Sequence, residues 1–166
     1  MLKEISEYSV FSQFSDKRFN QAINSIECDS IEKRFALGCT DNGYYFVYDS
    51  FCSALRICNK TRHTQVLTDA RWMKNDNMHF CVASMNQNLF LYDVNSSETP
   101  TTTYNTTYNV HSCSVNCKSP IIACALQDGF IRLYDLRESV NLHSLDTSHE
   151  ADVKTVEWSP DSEYLI

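Results

Sequence analysis

Eight cysteines and five histidines are the side chains of this 166-residue chain best suited to chemistry, as metal ligands, thiol nucleophiles or proton carriers. Their spacing argues against all three uses. No Cys-x-x-Cys pair occurs, and Cys113-x3-Cys117 and Cys52-x5-Cys58 lack the second ligand pair that a zinc site needs. Instead the thiols recur at strand positions: Cys39, Cys81 and Cys124 lie 10, 12 and 11 residues before a Tyr-Asp aspartate, while Cys28 and Cys113 fill apolar slots. That is how reduced cysteines packing as small hydrophobes are placed. His63 and His149 each stand nine residues before a tryptophan, Trp72 and Trp158, which reads as a repeated hydrogen-bonding role inside a structural unit. His79, His111 and His143 fall within strand readings. With only Gly38, Gly43 and Gly129, no glycine-rich phosphate loop can be built, and nothing marks a nucleophile elbow. The residues predict a chain that is not an enzyme and holds neither metal nor cofactor.

The elements that carry these side chains repeat. An apolar residue, two of any kind, an apolar residue, one of any kind and a third apolar residue occur as Ile23/Ile26/Cys28, Leu67/Ala70/Trp72, Val110/Cys113/Val115 and Val153/Val156/Trp158, the starts lying 44, 43 and 43 residues apart. Tyr48-Asp49, Tyr92-Asp93 and Tyr134-Asp135 keep step, with aspartates 44 and 42 apart. Within one unit, Ile23–Cys28 reads as a half-buried strand and Arg34–Cys39 as a second. Thr40-Asp41-Asn42-Gly43 is a tight hairpin of the two-residue kind, leading into Tyr44–Tyr48. Gln127-Asp128-Gly129 repeats that turn. The third strands, Leu89–Tyr92 and Phe130–Tyr134, are nearly continuous apolar runs, as strands covered on both faces should be. Weaker fourth strands follow at Leu55–Cys58 and Asn141–Leu145, and Pro100, Pro120 and Pro160 fall between strands.

Four antiparallel strands in 40 to 45 residues, stacked face to face, make the blade of a β-propeller. The predicted fold is therefore all-β: residues 1–21 as a leader, 22–61, 62–106 and 107–147 as three blades, and 148–166 as the start of a fourth. By the period, the fourth Tyr-Asp aspartate should fall near residue 179, so these residues cannot close a ring alone. The expectation is a fragment of a full propeller or a half-propeller that pairs with another chain, with apolar surface open at its terminal faces.

Bulk composition narrows the function. A net charge of −7, with no run of more than two Lys/Arg, disfavours attraction to phosphate backbones and hence direct nucleic-acid binding. Acids at Glu4 and Glu7 do not fit a signal peptide, and no stretch of about 18 apolar residues exists, so a soluble intracellular protein without membrane contact is expected. In that setting the sequons at Asn59, Asn95 and Asn105 count for little.

The Tyr-Asp pairs and Ser148-His149 resemble the Trp-Asp and Gly-His signatures of the WD40 family. In that family a histidine, a turn aspartate, a strand Ser/Thr and a third-strand Trp can share hydrogen bonds within a blade. Here the set is incomplete: Asp41 has no histidine in its repeat, the repeat with His63 has Asn86-Gln87 in its turn, and Asp128 stands alone. The blocks at Ile23–Glu27, Thr40–Tyr44, His63–Trp72, Tyr104–Ser112 and His149–Pro160 are similar, in order and spacing, to the Cockayne syndrome A type of WD40 substrate receptor. That resemblance implies a nuclear substrate receptor of a cullin-4 RING ubiquitin ligase, bound through the damaged-DNA-binding adaptor subunit and acting in transcription-coupled nucleotide-excision repair. A general WD40 scaffold in signalling, trafficking or RNA processing is the alternative. Tyr134-Asp135-Leu136-Arg137 is similar to the Trp-Asp-x-Arg box of adaptor-bound receptors, which assigns adaptor contact to Asp135 and Arg137. An ordinary exposed arginine after a strand is the competing reading. Residues Ser9–Phe14 are either an outer strand or part of an adaptor-binding segment.

Overall fold

The computed structural model describes residues 22–32, 35–49, 54–56, 63–74, 76, 78–96, 99–138, 141–147, 149–161 and 163–166. The expectations for residues 1–21, for Lys33 and Arg34, for Ile57 and Cys58, and for Ser148 lie outside them.

The described residues form three four-stranded antiparallel sheets, each a meander in chain order, and the one helical piece among them is a single 3-10 turn at Val94–Ser96. The first sheet holds β1 (Ile23–Cys28), β2 (Phe35–Thr40), β3 (Tyr45–Asp49) and β4 (Ala54–Arg56). The second holds β5 (Leu67–Trp72), β6 (His79–Ser84), β7 (Asn88–Asp93) and β8 (Thr102–Asn105), and the third β9 (Val110–Val115), β10 (Ile121–Leu126), β11 (Phe130–Asp135) and β12 (Asn141–Asp146). Residues 153–158 continue the series, returning as a hairpin in which Glu157 and Ile166 exchange backbone hydrogen bonds. The first strands of successive sheets lie side by side, and each also packs on the second strand of the sheet before it, β5 on β1 and β2, β9 on β5 and β6. Sheets stacked in this way about their innermost strands give a propeller-like arrangement.

Alternation broken by one register shift, between the first and second apolar slots, places the core residues of the inner strands on one face. Leu67, Ala70 and Trp72 are buried with Leu37, Cys39, Tyr45 and Val47 between the first two sheets. Val110, Cys113 and Val115 are buried with Cys81, Ala83 and Leu89 between the next two. Val153 and Val156 lie on Ala123 and Ala125 of the third sheet. Each such Val, Leu or Trp taken out of water stabilises by about 1.5–3 kcal/mol or more.

Two local expectations are corrected. β1 is not half-buried: Ile23, Ile26 and Cys28 are exposed, because no sheet among the described residues precedes them as the first sheet precedes β5. The hairpin turns carry three residues, not two. Thr40 N–H donates to Tyr44 O at 2.9 Å, leaving 41–43 as the loop, and Gly43 takes φ +85°. A type I turn followed by one left-handed residue has this form and suits glycine there. Gly129 repeats it at φ +85°, but the second sheet places Gln87 in the same conformation at φ 62°. The third strands also differ in cover: β3 is buried along its length, whereas β7 and β11 include half-buried positions.

Candidate functional site

At the end of β11 the chain turns through Leu136, Arg137 and Glu138, with Leu136 N–H bonded to Pro120 O at 2.8 Å. Asp135 is 3% exposed and organises this turn. Its Oδ1 accepts the Arg137 backbone N–H at 2.8 Å and Nε at 2.9 Å, and its Oδ2 accepts Nη2 at 2.5 Å. The fork of hydrogen bonds from the Arg137 side chain, with the backbone N–H, holds the Asp135 carboxyl down at about 2. The pair is strongly asymmetric, since the Arg137 side chain is 72% exposed while that of Asp135 is 4% exposed. A guanidinium clamped on two of its nitrogens is preorganised, and Nη1 takes no part in the clamp. Beneath it, Tyr104 donates to Leu136 O at 3.5 Å and meets Tyr134 edge-on at 5.7 Å. Burial, with the nearby Asp135 charge, raises the Tyr104 phenol. The arrangement can present a fixed cation to an acceptor-rich surface.

The equivalent Asp93 caps its turn in the same way without an arginine. Asp93 Oδ1 accepts the Asn95 N–H at 2.7 Å, and Asp49 is buried beside buried Tyr48. Among the described residues just after these aspartates, Arg137 is the one with a cationic side chain.

The second group of predicted residues lies inside the sheets. His63 Nε2 and the Tyr92 hydroxyl are 2.9 Å apart, and the His63 ring lies 4.5 Å from the Phe90 ring. Tyr92 in turn packs at 4.7 Å from Tyr45 and stacks on Phe80 at 5.4 Å. Burial lowers the His63 pKa and raises that of Tyr92, so the neutral pair is the stable one. The structure thus brings His63 to Tyr92 and not to the turn of its own sheet. Asp128 takes another partner: Arg132 Nη2 donates to it at 2.7 Å, Nη1 to Thr106 O at 3.2 Å, and the guanidinium lies 5.2 Å from the Tyr108 ring. Thr106 occupies, one period on, the place of His63, and Arg132 the place of Phe90. Asp41 is exposed, and its backbone N–H donates to Ala22 O at 3.2 Å. His149 is exposed as well, with its carbonyl 2.8 Å from where a Cβ on Gly129 would stand. Trp72 donates through its backbone N–H to Glu27 Oε2 at 2.6 Å and through Nε1 to Glu27 O at 3.2 Å. Trp158 donates its backbone N–H to Ser114 Oγ at 3.0 Å.

A polar network on the innermost strands escaped the reading of residues. Asp69, buried on β5, accepts from Ser25 Oγ of the first sheet at 2.8 Å, and from Ser112 Oγ and Cys113 N–H of the third, both at 3.1 Å. Its own Ala70 N–H and Arg71 Nε donate to Oδ1 at 2.9 and 3.1 Å. Arg71 then reaches Glu157 at 3.5 Å and Glu27 at 3.9 Å, while Lys74 pairs with Glu27 at 2.7 Å. Burial works to lower the Arg71 pKa, but Asp69 and the glutamates raise it overall. The available signal was polar residues recurring one place before the second apolar slot: Ser25, Asp69, Ser112 and Thr155.

Among the described residues no group of three or more His, Cys, Asp or Glu is arranged to hold a metal ion. Cys81 and Cys113 sulfurs lie 3.7 Å apart in a buried junction. The hydrogen bond to Cys81, with burial, raises Cys113, and burial raises Cys124 and pushes Cys39 up to about 12. No helix among the described residues is long and apolar enough to cross a membrane. No protein-family model matches the sequence, and no curated protein matches it.

Proposed function

We propose that the chain is a WD40-type propeller segment whose role is protein recognition without catalysis, and that it serves as a substrate receptor of a cullin-4 RING ubiquitin ligase. The observation that carries this reading is Arg137, held bidentately by buried Asp135 yet exposed over most of its side chain. A solvent-facing arginine held in one pose loses little entropy on binding and fits the arginine anchors that dominate interfaces. The resemblance of Tyr134-Asp135-Leu136-Arg137 to the adaptor-contacting box supports the damaged-DNA-binding adaptor subunit as the partner, and with it a nuclear role in transcription-coupled nucleotide-excision repair.

Binding of purified chain to immobilised adaptor tests the assignment. Arg137→Ala should weaken capture by about 30-fold, as loss of an interfacial anchor worth about 2 kcal/mol requires. Arg137→Lys should recover little, because an ammonium cannot make the fork to Asp135. Capture unchanged by either substitution removes the role given to this arginine and leaves the general scaffold reading.

A further inference from the structure

A sheet edge is normally kept from pairing by charge, proline, a bulge or short length. Among the outer strands of the described sheets, β4 is three residues long, and β12 ends in exposed Asp146 and meets β11 through a register shift. β8 has none of these devices. Its register with β7 is unbroken, and hydrogen bonds from Thr101 N–H to Leu91 O at 2.7 Å and from Thr106 N–H to Gln87 O at 2.9 Å extend the pairing at both ends. Between Glu98 and Lys118 there is no Asp, Glu, Lys or Arg, the longest such run in a chain of which these make up 21%.

The same hydrogen bond fixes which backbone groups face outward. Thr106 turns toward β7, so by antiparallel alternation Tyr104 and Thr102 do so as well, and Thr103 and Asn105 turn their N–H and C=O away. β8 is the last strand of its sheet, and no described residue takes these groups. Directly beyond the strand stands an aromatic side chain held in place. Tyr108 is 42% exposed, its carbonyl accepts Thr106 Oγ1 at 2.7 Å, and the Arg132 guanidinium lies 5.2 Å from its ring centroid. Arg132 is itself fixed by Asp128, Thr106 O and Ser144 Oγ. Thr107, which presents Tyr108, is β-branched yet holds φ 67°, a conformation that costs energy and collects at recognition sites.

We propose that β8 and the Tyr108 turn form a docking strip for an extended, uncharged segment of a partner protein, which adds to the sheet as a further strand. Its backbone bonds to Thr103 and Asn105, and one proline or other apolar side chain rests on Tyr108. An extended backbone is what a row of free ladder groups complements, and an edge without charge accepts side chains without charge. The strip suits a short peptide better than a second copy of the chain, since a stable dimer needs about 1,200 Å² or more of buried surface and each copy carries a net charge of −7. Arg132 stands near the start of β11 and Arg137 beyond its end, so the strip is separate from Arg137 and does not rest on the adaptor assignment.

The test pans a phage-displayed library of random dodecapeptides on the full chain and measures the enriched peptides, synthesised with a fluorescent label, by fluorescence polarisation. Enriched sequences should be uncharged, rich in β-branched residues and supplied with a proline or large apolar residue. Thr103→Pro removes an outward N–H that the β7 ladder does not use, so it should weaken binding about 10-fold with unchanged far-UV circular dichroism. Thr103→Lys keeps the backbone donor, sets a charge on the edge and should weaken binding as well, which covers a proline variant that fails to fold. Tyr108→Ala should weaken binding about 10-fold, as loss of an aromatic anchor does. No enrichment over wells without protein, a charged consensus, or affinity indifferent to Thr103→Lys or to Tyr108→Ala overturns the proposal. A wild-type chain that dimerises and becomes monomeric on Thr103→Lys also overturns it, because the edge then belongs to a second copy.

Discussion

Replacing Asp69 by alanine should destabilise the fold more than any other single polar substitution described here. The carboxylate is 4% exposed and accepts hydrogen bonds from Ser25, Ala70, Arg71, Ser112 and Cys113, drawn from three sheets. Hydrogen bonds to a charged group contribute about 1.5–3 kcal/mol each, but five donors sharing one carboxylate are not additive, and some recover water or one another. Removing one partner of a buried charge pair costs about 3–5 kcal/mol, and that range applies, since Arg71 loses its nearest anion. Asp69→Asn should cost nearly as much, because either amide rotamer turns an NH2 toward Ser112 and Cys113 or toward Ser25 and Ala70. In urea, where m is about 2 kcal/mol/M for a domain of this size, the unfolding midpoint should fall by about 2 M. Tryptophan fluorescence from Trp72 and Trp158 reports it, since both lie on inner segments. Glu163→Ala is the control: its side chain and that of its partner Lys118 are both more than half exposed, and about 0–1 kcal/mol is expected. A loss for Asp69→Ala within 1 kcal/mol of that control would refute the view that one buried carboxylate ties three sheets together.

Three further outcomes follow from the turns, the histidine and the thiols. Gln87→Gly should raise stability by about 1 kcal/mol, because Gln87 is exposed and holds φ 62°, while Gly129→Ala should lower it by at least as much, its Cβ meeting His149 O at 2.8 Å; thermal midpoints distinguish the signs. Burial depresses the folded-state pKa of His63 below the ~6.5 of an unfolded histidine, so the stability it confers is complete above about pH 6.5 and declines as pH falls toward the depressed value. His63→Gln should flatten urea midpoints between pH 7.5 and 5, and an unchanged slope would locate the dependence elsewhere. Among the described cysteines, Cys28 and Cys117 should react with a thiol reagent in the native state, whereas Cys39, Cys81, Cys113 and Cys124 should react only on unfolding.

The inner strands were legible because Leu67/Ala70/Trp72 and Val110/Cys113/Val115 place apolar atoms on one face at a constant period, a pattern only burial against a neighbour rewards. Ile23/Ile26 carries the same pattern and is exposed, since periodicity reveals what a face is built to meet and not whether the neighbour is there. The three-residue turn was misread because Asn42-Gly43 also suits the shorter one, and only the Thr40–Tyr44 hydrogen bond decides. Arg137 could be singled out from Asp-x-Arg spacing, yet its fork to Asp135 depends on the turn that Pro120 O and Asp135 fold. Asp69 was invisible for a different reason. Its partners on other sheets, Ser25, Ser112 and Cys113, lie 43 or 44 residues to either side, so nothing in its immediate sequence marks it as more than an exposed acid between threonine and alanine.

Those long-range tethers bear on how the chain is made. Ser25–Asp69, Glu27–Trp72, Asp69–Ser112 and Ser114–Trp158 each span one period, while the Arg71–Glu157 ion pair reaches across two. A hairpin forms in about 1–10 μs. Synthesis at about 5–20 residues per second needs roughly 2–9 s for the next 43 residues. Each sheet therefore has ample time to fold at the ribosome exit and then wait, its apolar face bare, until its successor arrives. During that wait, charges set among the apolar residues of an inner strand, as Asp69 and Arg71 are on β5, hinder the edge from pairing with another nascent chain. The residues that lock the finished stack also guard its unfinished stages.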